Sequence, residues 1–292
     1  MSKLRQALES GKFVITGEVG PPKGVDLGAC LHHARELRDK VVAINVTDLQ
    51  SAVMRIGSMV VCAKLVEQGL EPVYQLTCRD RNRLALQSDL LSAWAFGIKN
   101  VLCLTGDHPA LGDHSDARPV YDLDSVQLLK AASTLNNGHD MAGHELEGKP
   151  DFFLGAVVTP AADPLEPQII KMKKKIEAGA RFFQTQAIYE PERFEKFMNQ
   201  VQKLGVPVLA GMVLIKSPAM ARFMNANVAG INVPDSIISE MEETRKEDRK
   251  KKSVEITARI IRQVKSLCQG VHIMPLGWDE LVPDVIAEAE LK

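Results

Sequence analysis

Short apolar, β-rich runs alternate with longer amphipathic stretches along almost the whole chain. Strands are expected near 12–17, 40–46, 72–77, 100–104, 152–158, 181–186, 206–210 and 270–274. Helical patterns fill the spaces between them, near 26–38, 51–69, 82–96, 123–134, 166–178, 190–203, 217–226 and 234–267. A strand followed by a helix, repeated about eight times, is the signature of a parallel α/β fold. Eight such units within 292 residues favour a closed (β/α)8 TIM barrel over an open doubly wound sheet. Barrels reach this length as one unit, so a single catalytic barrel domain over residues 1–292 is the expectation.

Local signals agree with the periodicity. Ile169, Ile170, Met172 and Ile176 make an apolar stripe, and Gly179 is suited to end that helix. Pro191 suits the first turn of a helix that buries Phe194 and Phe197. Two connections are unusually long, Gly106 to Asp122 and Asn136 to Asp151, and loops of that length are mostly functional lids or else disordered. The run from Glu242 to Lys252 is densely charged with both signs; it reads as a solvated helix face, with a partner-docking surface as the alternative.

Composition narrows the function classes. A formal net charge of −1 gives no broad electrostatic reason to bind nucleic acid or a membrane surface. No apolar run approaches the length of a membrane helix, and Met1 to Gly11 is polar, unlike a signal peptide. Five widely spaced cysteines form no C-x-x-C pair, and three of them (Cys62, Cys78, Cys103) sit in or beside apolar runs; this usage suits the reducing cytoplasm.

Several strands end in polar side chains. Val14-Ile15-Thr16-Gly17 leads to Glu18, Val41-Val42-Ala43-Ile44-Asn45 to Thr47 and Asp48, Val101-Leu102-Cys103-Leu104 to Thr105-Gly106-Asp107, and Phe182-Phe183-Gln184-Thr185 to Gln186. Barrels and open α/β sheets place their chemistry at the carboxyl ends of strands, so these side chains suggest one shared site. There is no Gly-x-Ser-x-Gly elbow, Rossmann fingerprint or Walker A loop. His32 and His33 are adjacent on a helix and point apart, and His108 and His114 are a lone loop pair, so no metal is expected. What remains is two carboxylates and an amide. A carboxyl group partly buried at a barrel mouth can hold a proton for general acid catalysis, while a second stays ionised and stabilises a cation. An amide can orient a heterocycle through paired donor and acceptor bonds.

These segments resemble the methylenetetrahydrofolate reductase family, nearly end to end and in the family's order. Gly17-Glu18-Val19-Gly20-Pro21-Pro22 is similar to its opening Glu-Phe-x-Pro-Pro segment. Val46-Thr47 and Tyr74-Gln75-Leu76-Thr77-Cys78 resemble the second and third strand ends, and Leu104-Thr105-Gly106-Asp107 the Arg-Gly-Asp turn. Lys175-Ile176-Glu177-Ala178-Gly179-Ala180, followed by Thr185-Gln186, resembles the run into the sixth strand. The resemblance implies a flavin, normally FAD, at the carboxyl face of the barrel, and reduction of 5,10-methylenetetrahydrofolate to 5-methyltetrahydrofolate by hydride from flavin N5. It implies Glu18 as the acid that opens the five-membered ring to a 5-iminium cation, Asp107 as the group favouring that cation, and Gln186 as the holder of the pterin. Thr47, Gln75, Thr105, Gly106, Asp107, Asp122, Thr159, Lys171, Lys174 and Lys175 fall where the family contacts its flavin, and Gln186, Ile215, Ala219 and Trp278 where it meets folate.

This chain departs from the family at informative places. Thr105 replaces an arginine, Gln75 a histidine and Thr159 a tyrosine on the expected flavin surface, which leaves FMN as an alternative to FAD. Ala219 stands where many relatives carry a phenylalanine, and Trp278 where a basic residue would meet the folate tail. Direct reduction by NADH or NADPH is one expectation. The other is a catalytic flavin subunit, an oligomer or part of a complex, fed by an iron–sulfur or flavin protein. A barrel that has lost catalysis is a third reading, against which the joint presence of Glu18, Asp107 and Gln186 argues.

Overall fold

Eight runs dense in Val, Ile, Leu and Phe form eight parallel strands in the computed structural model, which describes residues 1–228 and 230–291. They are β1 (Val14–Val19), β2 (Ala43–Val46), β3 (Pro72–Thr77), β4 (Asn100–Leu104), β5 (Phe153–Val158), β6 (Phe182–Ala187), β7 (Val208–Val213) and β8 (Gly270–Met274). Each pairs in parallel with the next, and β8 returns to β1, so the sheet closes as the expected barrel. Helices α1 (Lys3–Glu9), α2 (Gly28–Glu36), α3 (Ser58–Glu67), α4 (Arg83–Ala95), α5 (Ser125–Asn136), α6 (Glu166–Glu177), α7 (Pro191–Val201), α8 (Pro218–Asn227), α9 (Asp235–Glu243), α10 (Arg249–Val264) and α11 (Val282–Glu288) accompany the strands. Among the described residues no helix is long and apolar enough to cross a membrane.

Side chains alternate in and out along each strand, which gives the barrel a layered interior. Its lowest layer is apolar: Val14, Ala43, Val73, Leu102, Phe153, Phe182 and Leu209 form a cluster of their own, closed from below by Leu4 and Leu8 of α1. Two residues further along the strands the interior turns polar, with Thr16, Asn45, Gln75, Gln184 and His272 all buried. Asn45 on β2 and Gln184 on β6, on opposite walls, exchange two amide hydrogen bonds of 2.7 and 3.1 Å across the barrel. That pairing lets polar groups be buried without orphaned donors. It also makes a floor on which the mouth is built.

Four expectations change. The polar opening segment forms α1, capped by the Ser2 hydroxyl, because Leu4 and Leu8 are one turn apart and both bury in the barrel base. The helix expected over 51–69 begins only at Ser58; before it Leu49, Ser51 and Ala52 have positive φ, which no helix allows. The helix expected over 234–267 breaks into α9 and α10 at extended Thr244, and its charges pair within and beyond it, Arg245 with Asp248 and Lys252 with Glu255. The long loop 136–151 joins α5 to β5 and so lies at the amino face, opposite the mouth. It is ordered by Asp140, which accepts from the Ala142 and His144 amides, and it cannot serve as a lid.

Candidate active site

β1 runs further than its hydrophobicity suggests, so Glu18 lies inside the strand rather than beyond it, and Gln186 lies inside β6 as its expected range has it. Glu18 is 6% exposed. Gln75 Nε2, from β3, donates to Glu18 Oε2 at 3.2 Å, and His272 Nε2, from β8, lies 3.4 Å from the same oxygen. The other ring nitrogen, Nδ1, is 3.0 Å from the Thr16 hydroxyl. With the proton on Nε2, the imidazole faces the carboxylate and Nδ1 accepts from Thr16. Three buried groups on three strands, Gln75, His272 and, behind it, Thr16, therefore hold one carboxyl group in a fixed orientation.

Asp107 follows β4 on the loop from Gly106 to Asp122, and its side chain is exposed at the mouth. The turn itself is pinned: buried Arg79 donates to the Asp107 carbonyl at 3.2 Å, and the Tyr121 hydroxyl donates to the Gly106 carbonyl at 3.2 Å. Gly106 has φ +91°, and a Cβ there would come within 3.1 Å of the Thr77 Cβ and 3.2 Å of the Arg79 Cβ. Only glycine suits that turn. Gln186 is half-buried where the β6–β7 register shifts between Gln184 and Ala187. The irregularity is satisfied by the Thr185 hydroxyl, which donates to the Gln186 carbonyl and accepts from the Gly211 amide. Bulges of this kind re-aim side chains beside active sites.

The residues expected around a flavin divide into groups. Thr105 and Lys174 line a mouth cavity of about 530 Å³ together with Tyr121, Leu123, Asp124 and Gln127, a volume in the usual range for small-molecule sites. Thr47, at the end of β2, is buried, and its hydroxyl has no hydrogen-bond partner among the described residues. A buried, unpaired hydroxyl calls for a partner, which bound ligand or water supplies. Other members of the set are engaged elsewhere. Gln75 is committed to Glu18, and the Asp122 carboxylate is held by Arg83 at 2.8 and 2.9 Å. That ion pair lowers its pKa to about 2. Thr159 is packed beneath Gly230, where a Cβ would fall 1.9 Å from its methyl group.

Lys171 and Lys175 do not act as a surface pair. Lys171 is exposed, whereas Lys175 is buried and donates to the Val157 carbonyl at 2.6 Å. Burial, and secondarily Lys171, brings the Lys175 pKa down to about 8. On the folate side Ile215 is buried and Ala219 is exposed in the first turn of α8. Trp278 carries two cations over its ring, Lys216 Nζ at 5.4 Å and Lys250 Nζ at 5.9 Å. His108 stacks on Tyr121 and His114 pairs with Asp113.

Sequence reasoning missed His272, whose spacing of two from Gly270 in a strand was its one signal of an interior position. It also left Asp48 without a role. That buried carboxylate accepts from the Thr77 amide and hydroxyl and from Arg81 at 2.8–3.0 Å, and so ties β2 to β3 beneath the mouth.

A closed parallel barrel with a buried, hydrogen-bonded carboxyl group near the carboxyl end of its first strand defines a (β/α)8-barrel enzyme. The chain belongs to the methylenetetrahydrofolate reductase family, whose model matches residues 3–290. Methylenetetrahydrofolate reductase 2 of Schizosaccharomyces pombe is 25% identical over 254 residues, which cover 78% of this chain and 37% of that protein. The 5,10-methylenetetrahydrofolate reductase of Pectobacterium carotovorum is 27% identical over 213 residues, covering 70% of this chain and 65% of that one. The chain thus spans less than two thirds of the length of either relative. Among solved structures, an uncharacterized protein from Clostridium thermocellum that binds two copies of 5-methyl-5,6,7,8-tetrahydrofolic acid superposes with a TM-score of 0.69 at 17% identity, over 99% of this chain and 98% of that one. Oxaloacetate acetylhydrolase shares the fold more loosely, with a TM-score of 0.55 at 14% identity over 99% of this chain and 84% of the other.

Proposed function

We propose that this chain, acting as one catalytic barrel in the cytoplasm, reduces 5,10-methylenetetrahydrofolate to 5-methyltetrahydrofolate with a bound flavin, FAD. The observation that carries the reading is Glu18, a buried carboxyl group oriented by Gln75 and His272 at the mouth of the barrel. Family membership and the folate bound by the Clostridium protein support it. Five buried, unpaired cysteines suit a reducing compartment.

The residues present fit a flavin. The unpaired Thr47 hydroxyl, the Thr105-Gly106 turn and the cavity lined by Thr105 and Lys174 would hold it, and when bound it supplies the hydride. Lys174, rather than Lys175, is the cation that faces that cavity. The chain's own groups then perform the acid–base work. Glu18 gives a proton to the substrate's ring nitrogen, and the five-membered ring opens to a 5-iminium cation. The Asp107 carboxylate favours the positive charge as it forms, and the Gln186 amide orients the pterin through its donor and acceptor.

A second reading concerns the source of electrons. Ala219 presents no ring beside the mouth, and Trp278 is already engaged by Lys216 and Lys250. We therefore propose that an iron–sulfur or flavin partner protein supplies electrons in place of NADH. Purification, absorption spectroscopy and release of the bound cofactor test the flavin assignment and distinguish FAD from FMN. Anaerobic mixing of the reduced protein with methylenetetrahydrofolate tests the reaction. A folded, colourless protein that takes up neither flavin would falsify the proposal.

A further inference from the structure

A second cavity, of about 370 Å³, opens between the β1–α2 and β8–α11 connections and is separate from the one at Thr105 and Lys174. Glu18 lines it, as do His33 of α2 and Asp279 of the turn before α11. His33 Nδ1 lies 3.5 Å from Asp279 Oδ2, with the imidazole 32% exposed and the carboxylate 14%. The pair therefore bridges solvent and the cavity that contains Glu18. At about 30 Å³ per water, the cavity has room for roughly ten molecules, and Glu18, Asp26, His33, Gln50, Arg55 and Asp279 supply polar groups within its mixed lining.

Glu18 needs such a route. If it gives up a proton in each turnover, that proton must be replaced from solvent. Gln75 has none to give at neutral pH. His272 and Thr16, on the other side, are both buried, so that chain of contacts ends inside the barrel. We propose that His33 and Asp279 return the proton to Glu18 through water in this cavity, a role that rests on the reductase reading above. The His33 imidazolium gives its proton to water, water passes one to the Glu18 carboxylate, and the imidazole regains one from solvent. No electrons move. Asp279 holds the imidazolium in place, and neither residue touches a reacting atom.

Burial raises the Asp279 pKa, His33 opposes that rise, and Glu280 and Glu18 add to it. Cys30 of α2 lines the same space, and burial and then Asp279 push its thiol up to about 11, so it stays protonated and plays no part. Glu280 is tied to Lys250 of α10, while Asp26 and Arg55 complete the charged lining.

The test uses the flavin-loaded protein and its Asp279→Asn and His33→Ala variants. Pre-reduced enzyme is mixed with methylenetetrahydrofolate, and flavin reoxidation is followed through one turnover. Turnover is then measured with excess reduced viologen. The first turnover should stay within about twofold of wild type, because the resting enzyme has had time to equilibrate with solvent before mixing. Later turnovers should fall roughly tenfold, less than the 10²–10⁴-fold of a direct acid because cavity water still conducts protons. Added imidazole should restore His33→Ala. Separately, histidine NMR of the flavin-free chain should show the His33 ring resonances moving in Asp279→Asn, since the contact between the two side chains has gone. Unchanged multiple turnover, an equal loss in the first turnover, no rescue by imidazole, or unmoved His33 resonances would each overturn the assignment. If wild-type protein binds flavin but reduces no folate, the reductase reading itself fails, a result separate from all of these.

Discussion

His272 Nε2 lies 3.4 Å from Glu18 Oε2, and the two residues belong to the last and first strands of the barrel, which pair only where the sheet closes. The surroundings of the Glu18 carboxyl group are thus assembled by closure of the fold. Gln75 completes its support from β3, so the carboxyl group is fixed from both sides before any substrate arrives. Such preorganisation spares a reaction the cost of orienting its acid.

Glu18→Gln keeps the shape of the side chain and removes its transferable proton. Folate reduction should fall by roughly 10²–10⁴-fold, while flavin binding and flavin reduction stay near wild type. Stopped-flow measurement of the two half-reactions separates these effects. Turnover of folate within a few-fold of wild type would exclude Glu18 as the acid.

The Asn45–Gln184 pair makes a prediction about stability alone. Asn45→Leu leaves the Gln184 amide buried without its partner, which should cost about 1–3 kcal/mol. Gln184→Leu should cost a similar amount. The double variant should recover much of the loss, because both desolvated amides are then gone. Urea unfolding of all four proteins gives the coupling, and simple additivity would show that the pair is not an interacting unit.

Lys175 gives stability a pH dependence of known sign. Its pKa is about 8 in the folded chain against an ordinary lysine value of 10.5, so between those values the unfolded state binds more protons. Stability from this group therefore rises as pH increases from 8 to 10.5 and is flat below 8. The difference in stability between wild type and Lys175→Met should move in favour of wild type across that window, by up to about 3 kcal/mol. Denaturation midpoints at neutral and alkaline pH measure it. A difference independent of pH would mean that the ammonium is not destabilised by burial.

At Gly106 the backbone conformation and the packing against Thr77 and Arg79 act together. Gly106→Ala should lose about 1–3 kcal/mol from strain, and it should weaken flavin uptake because the Asp107 turn must shift. Thermal melts and a flavin titration report the two effects independently. Unaltered flavin affinity would separate this turn from the cofactor.

The barrel was legible because period-two apolar runs and helical stripes alternate so regularly, and each strand was recognisable within a few residues. Glu18, Asp107 and Gln186 were legible as polar side chains at strand ends. What escaped depended on partners distant in sequence. Nothing near His272 indicates that Glu18 will face it, and nothing near Asn45 indicates Gln184, since both contacts exist only after closure. Lys175 looked like a surface cation because helical spacing groups it with Lys171, but its position on α6 turns it toward the Val157 carbonyl. The α9–α10 break was hidden by a continuous polar pattern with no glycine or proline to mark it.

The electron donor is open to a direct measurement. Aromatic stacking contributes about 0.5–1.5 kcal/mol beyond area burial, so the absence of a ring at Ala219 removes up to roughly tenfold in nicotinamide affinity. That loss weakens direct NADH oxidation without forbidding it. Trp278 does not replace the missing ring, because its face is shared between Lys216 and Lys250. Mixed rapidly with the oxidised, flavin-loaded chain, NADH should bleach the flavin far more slowly than reduced viologen does. Ala219→Phe should speed the NADH reaction several-fold and leave the viologen reaction unchanged. If NADH reduced the wild-type flavin as fast as the enzyme turns over, electrons would need no partner and Ala219 would carry no such meaning.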